Sequence, residues 1–335
     1  MMFVPTQPRS RPLHLNWTHA TRLLRSLGFV GAYIAWTLAF RLLILTFITY
    51  FLMSSGRSPR FEDISETFGA NELTVMGLSS VLFVGLLRAF HPITSTTTAE
   101  ILTPVRFEKY FLPGFVHGAV LAAGVTLAFL ISGHYRYLGV FLQFDEAPLA
   151  FLTMFVRVLA LGAFALCEEF IFRHRISRDL LKLIRGGKPV TLSSSLVTAG
   201  VVAILFCGVK IIQFDLGFIQ LFTLFLISLS LSIRSLVDGD FGRGAGFWAA
   251  LLIVFQPLLS LPALGGDFSG IILIKFQSTA LTGSEASDTV ARLLTGGPGG
   301  PLSSIALQLL LGLDILRGVF VYKKRLSNPE TRGQS

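Results

Sequence analysis

Two adjacent glutamates, Glu168 and Glu169, close an apolar run in the stretch LCEEFIFRHRI at 166–176, and a basic segment follows at once. A carboxylate withdrawn from water is either a base able to activate a water molecule or one half of an ion pair. Glu169 and Arg173 are four residues apart with the acid first, the orientation that suits a pair on one helix face. Glu168 points about 100° away around the same helix, free to meet a cavity or another partner. Ionisable groups at membrane depth are costly and are functional candidates for that reason. The next such group within an apolar span is Lys210, in AILFCGVKIIQF. If the glutamate helix runs on through RHRISRDLLKL, turns at RGGKP and returns from about Thr191, Glu168 and Lys210 each stand 21 residues from Pro189. Equal rise then sets them level, and a contact between them is expected.

The elements that must position these groups are membrane helices. Of 335 residues, 52% are hydrophobic and 14% charged, well below the roughly 25% of soluble domains. The mean hydropathy is +0.69. The formal charge of +9 does not indicate nucleic acid, because most basic residues lie in short loops and tails between apolar spans. Cys167 and Cys207 fall inside apolar spans and form no disulfide framework. The arm 1–27 is basic, and the long apolar run after it is expected to be a signal anchor, with no small-residue cleavage site of a signal peptide.

The expected fold is all-α: a polytopic transmembrane helical bundle of about eight membrane helices, at 28–53, 74–92, 110–132, 148–172, 192–214, 216–235, 245–264 and 301–322. Basic residues gather on one side: the N-terminal arm, Arg106 and Lys109, the loop from Arg175 to Lys188, Arg234 and Arg243, and the tail YKKRL. FEDISE at 61–66, FDEA at 144–147, Asp215 and the Gly-rich segment 265–300 fall on the other, along with the exceptions Arg57, Arg60 and Arg136. Both termini are therefore expected in the cytoplasm. Along the chain this gives a basic arm (1–27), variable N-terminal helices (28–147), a core (148–264), an external Gly-rich loop (265–300), and a last helix with a basic tail (301–335). Within that loop GIILIKF is either external loop or a short re-entrant helix.

EEFIFR matches the EExxxR motif, and the core resembles the CPBP family (CAAX-processing and bacteriocin-processing, also called ABI) of glutamate-type intramembrane proteases. The resemblance extends to SSSLVTAGVVAILF, which ends on Phe206, and to GRGAGFWAALLIVF, which is similar to the third-motif helix. It covers about 148–264 and implies an intramembrane endopeptidase acting on a membrane-tethered peptide or protein, without a cofactor. What carries over residue by residue is Glu168, Glu169, Arg173 and Phe206. The family's second-motif histidine falls on Lys210, and its third-motif histidine and asparagine fall on Val254 and Leu258. No histidine follows His174, and Asn328 is the only later asparagine.

The catalytic candidates are thus Glu168, Glu169, Arg173 and Lys210, with Phe206, Gln256 and His117 as cavity candidates. Lys210 could donate to a developing oxyanion, yet an ammonium beside a carboxylate weakens it as a base. Gln256 is the one amide on the third-motif helix able to imitate the missing asparagine. His174 stands at the basic edge, and Asp314 and Arg317, three apart, are expected to pair. A dyad of Lys210 with the serines at 193–195 fails on distance, about 22 Å along one helix. No cluster has metal-ligand spacing, so no metal is expected. Two functions compete: a CPBP-like endopeptidase of the bilayer with an impaired site, or a non-catalytic pseudoprotease serving as a membrane scaffold, binding or immunity protein. A small transporter is weaker, because no matched pair of broken helices appears. The resemblance places the chain in a bacterial inner membrane.

Overall fold

The computed structural model describes residues 17–54, 68, 72–90, 107–140, 147–186, 188–264, 270–277 and 285–327. Most of the basic arm, Arg57, Arg60, FEDISE and Arg106 lie outside them. Helices dominate: α1 (Trp17–Ser54), α2 (Glu72–Phe90), α3 (Leu112–Ile131), α4 (Ala147–Glu169), α5 (Ser177–Arg185), α6 (Leu192–Gln213), α7 (Phe218–Asp238), α8 (Gly242–Ile253), α9 (Glu285–Thr295) and α10 (Ile305–Ser327). Three π-helical segments interrupt them: Phe107–Phe111 leads into α3, Phe170–Ile176 joins α4 to α5, and Val254–Leu258 extends α8.

Six helices are long and apolar enough to cross a bilayer: Leu27–Ser54, Phe107–Ile131, Phe151–Arg185, Leu192–Gln213, Phe218–Asp238 and Ile305–Ser327. The chain is a multi-pass integral membrane protein. Two of the eight expected spans are shorter than expected. The apolar part of α2 is Glu72–Leu86. The stretch expected at 245–264 stops being helical at Leu258, where Pro257 lacks a backbone donor and Ser260 follows with φ of 53°.

The segment 265–300 departs further from an unstructured loop. Its GIILIKF piece is neither helix nor loop: β2 (Ile272–Phe276) pairs antiparallel with β1 (Tyr135–Val140), Tyr135 opposite Phe276 and Val140 opposite Ile272. A short apolar run reads equally as strand or helix until its partner is known, and here the partner lies far back in the chain. The Tyr135 hydroxyl donates to the Thr295 carbonyl at 3.0 Å, tying the sheet to α9. Burial pushes that phenol well above its ordinary range, so it stays a donor.

Local signals set the turns around the core. Thr191 caps α6: its side chain accepts the Ser194 N–H at 3.2 Å while the Ser194 hydroxyl accepts the Thr191 N–H at 3.1 Å. Gly186, in the left-handed region at φ of 53°, ends α5 before that cap. Every residue of α8 except Arg243 is buried, and this helix is the axle on which α3, α4 and α7 pack. Small residues make that possible. A Cβ on Gly114 would overlap the Arg243 carbonyl oxygen, and one on Gly246 would overlap that of Phe111, so α3 and α8 meet backbone to backbone. By contrast, α1 and α10 expose rows of large apolar side chains, among them Leu42, Phe47, Leu313 and Phe320, as lipid-facing helices do.

Candidate functional site

Glu168 and Glu169 close the last α-helical turn of α4, and the π-segment that follows carries Arg173. Such segments insert a residue into a helix and recur at functional positions. Both glutamates are fully buried, as is Lys210, and Arg173 is 2% exposed. The expected contacts form. The Lys210 ammonium pairs with Glu168 Oε1, and Arg173 Nη1 lies 2.8 Å from Glu169 Oε1. The Glu168–Lys210 contact expected from counting to Pro189 forms with the π-segment in between.

Each charge has further support. The indole N–H of Trp248, on α8, donates to Glu168 Oε2 at 3.0 Å. Arg173 Nη2 donates to the Ser228 hydroxyl at 2.7 Å and to its carbonyl at 3.2 Å, on α7. Glu169 fits because Gly244 faces it: a Cβ there would fall 2.6 Å from Glu169 Oε2. Phe206 lies between the two cations, with its ring centroid 5.2 Å from Lys210 Nζ and 4.9 Å from Arg173 Cζ. Phe164 and Phe214 complete an aromatic surround for Lys210, at 4.3 and 5.2 Å. The ring faces offer the ammonium a partial substitute for water.

Two carboxylates and two cations thus form a closed, balanced set inside the bundle. Each oxygen of Glu168 already accepts a donor and neither meets solvent. A general base acts on a proton within hydrogen-bond reach, and here both Glu168 oxygens are taken up by Lys210 and Trp248. As it stands, the arrangement supplies cohesion between α4, α6, α7 and α8.

A polar chain continues from Lys210 toward the far end of α6. Gln213 Oε1 is 3.5 Å from Lys210 Nζ, and Gln213 Nε2 is 3.5 Å from the Thr37 hydroxyl. Arg41 donates to the Gln213 carbonyl at 3.1 Å and pairs with Glu72 at 2.9 Å. This extension joins α1 and α2 to the core.

The other sequence candidates lie elsewhere. Gln256 is 2% exposed in the π-segment after α8, and its side-chain oxygen has no hydrogen-bond partner among the described residues. Val254 is buried, and Leu258 is half-buried. His174 stacks on Phe170 with centroids 5.3 Å apart and contacts Arg178 at 3.3 Å. His117 belongs to a second cluster, where its Nδ1 lies 3.1 Å from Arg234 and its ring meets Phe247 edge-on. Asp314 anchors that cluster. It pairs with Arg234 at 2.7 Å and accepts the Ser230 hydroxyl at 2.5 Å, in place of the expected Arg317. Spacing along one helix permits the Arg317 pair, but the guanidinium of α7 reaches Asp314 across the helix interface, while Arg317 is exposed.

Sequence reasoning missed Trp248 and Ser228 as partners of the glutamate pair, and it missed the Arg41–Glu72 link. An indole N–H inside an apolar helix requires an acceptor, which was the available signal for Trp248. Arg41 within the first apolar run was a comparable signal for Glu72. Among the described residues no group of histidine, cysteine and carboxylate side chains is placed to hold a metal ion.

Compared with protein-family models, with curated proteins and with solved structures, the chain matches none of the three.

Proposed function

We propose that the chain is a non-catalytic relative of the CPBP intramembrane proteases: a membrane-embedded binding or scaffold protein for a membrane-tethered peptide or protein. In this reading it retains the glutamate-arginine motif as a structural lock. The observation that carries the reading is the closed state of Glu168, whose oxygens are held by Lys210 and Trp248 with no exposure. Lys210 stands where the family resemblance puts a histidine, and its ammonium occupies the Glu168 oxygen that a water would need. Val254 and Leu258 stand where two more catalytic side chains belong, and a site missing several cooperating groups loses most of its rate. Glu169, Arg173 and Phe206 keep their places because they bind α4 to α6 and α7 whatever the chemistry. The basic loops set both termini in the cytoplasm, and the resemblance suggests a bacterial inner membrane.

The test compares new protein N-termini in membranes of cells carrying either the unaltered chain or Glu168→Gln. The proposal expects the same set of termini in both. A cleavage product present with the unaltered chain and lost with Glu168→Gln, while the variant accumulates normally, would support the endopeptidase instead.

A further inference from the structure

A cavity of about 470 Å³ opens at the basic end of the bundle, between the start of α5, the end of α7 and the end of α10. That volume lies within the roughly 300–1,000 Å³ usual for small-molecule sites. We propose that it binds the phosphate-bearing headgroup of an anionic phospholipid, with the glycerol and first acyl carbons against its apolar wall. This holds whether or not Glu168 catalyses.

Three observations assign the ligand class. First, the cationic groups lining the cavity come from separate elements: Arg178 from α5, Arg325 from α10 and Arg173 from the π-segment before α5. Arg178 is exposed and has no carboxylate partner among the described residues; its contact is with His174. Arg173 is 2% exposed, and its Nε has no hydrogen-bond acceptor among the described residues. Second, the acids at the cavity are engaged. Asp238 pairs with Arg243 at 3.3 Å, and the Asp240 carboxylate accepts the Gly242 N–H at 2.6 Å. Arg325 donates to the neutral Val237 carbonyl, so among the described residues neither it nor Arg178 forms an ion pair with a carboxylate. Third, Leu181, Tyr322 and Leu326 form an apolar wall. A free phosphate has no use for such a wall, whereas an amphiphile covers it.

The location agrees. The lining residues sit at the helix ends beside Lys182, Arg185, Lys188, Lys323 and Lys324, the level at which basic residues meet anionic headgroups. Basic pockets between membrane helices on that side are suited to phosphate esters.

The experiment measures binding to the purified full chain in a nonionic detergent, read as the rise in thermal unfolding midpoint with ligand concentration. The probes are dioctanoyl phosphatidylglycerol, dioctanoyl phosphatidylcholine and inorganic phosphate. Saturable stabilisation by phosphatidylglycerol alone is expected, and Arg178→Gln should weaken it about fivefold. Lys324→Gln, an exposed change at the same end and outside the cavity, should leave it unaltered. Three results would overturn the proposal: equal stabilisation by phosphatidylcholine; equal stabilisation by inorganic phosphate, which would make this a free-anion site; or equal weakening by Lys324→Gln, which would mean a diffuse basic belt. Arg178 is exposed, so its replacement does not endanger folding.

Discussion

Two ionic clusters built from similar parts lie within this bundle, and they differ in access to solvent. At the glutamate pair, the side chains of Glu168, Glu169, Arg173 and Lys210 are all 0% exposed. At the second cluster, the side chains of Arg234, Asp314 and His117 are 11%, 16% and 40% exposed. The closed cluster has no recourse to water, so each member depends on its partner. The half-open cluster can lose a member and let solvent or a headgroup compensate. Burial, more than the count of ion pairs, decides which residues the fold cannot spare.

The largest effect expected from breaking this contrast is at Arg173. Arg173→Leu strands Glu169 and removes both hydrogen bonds to Ser228; it should cost about 3–5 kcal/mol and be seen as loss of folded protein in detergent. Asp314→Asn, which removes the equivalent acid from the half-open cluster, should cost less, about 1.5–3 kcal/mol, because Arg234 keeps Ser230 and its stacking on Phe247. Thermal unfolding of the two variants side by side checks the order. Gly244→Ala tests the fit around Glu169 without touching a charge, since the added carbon would meet Glu169 Oε2 at 2.6 Å; about 1–3 kcal/mol is expected. His117→Gln should be smallest, within about 0.5 kcal/mol, as its side chain is 40% exposed. If it destabilised as much as Arg173→Leu, the contrast would fail.

The closed cluster was legible in the sequence to the level of its pairs. Helical periodicity gave Glu169 to Arg173, and counting along two antiparallel helices gave Glu168 to Lys210. Both inferences use distances along helices, which sequence fixes well. What it left out came from between helices. Trp248 and Ser228 approach from α8 and α7, and nothing in either segment specifies the rotation that points them at α4. The same limit misplaced Asp314, whose local partner at three residues lost to Arg234 on another helix. It also hid the β1–β2 sheet, whose strands are far apart in the chain. The six long apolar helices were legible from length alone, whereas the shortened stretch expected at 245–264 depended on how Pro257 and Ser260 end it.

The central claim, that Glu168 and Lys210 exist for one another, is tested most directly by a double-mutant cycle of Glu168→Gln, Lys210→Met and the two combined, followed by equilibrium unfolding in detergent. Each single change should destabilise the protein, with Lys210→Met costing about 3–5 kcal/mol because it strands a buried carboxylate. The double variant should recover most of that loss. Costs that simply add, or a Lys210→Met protein as stable as the original, would contradict the account.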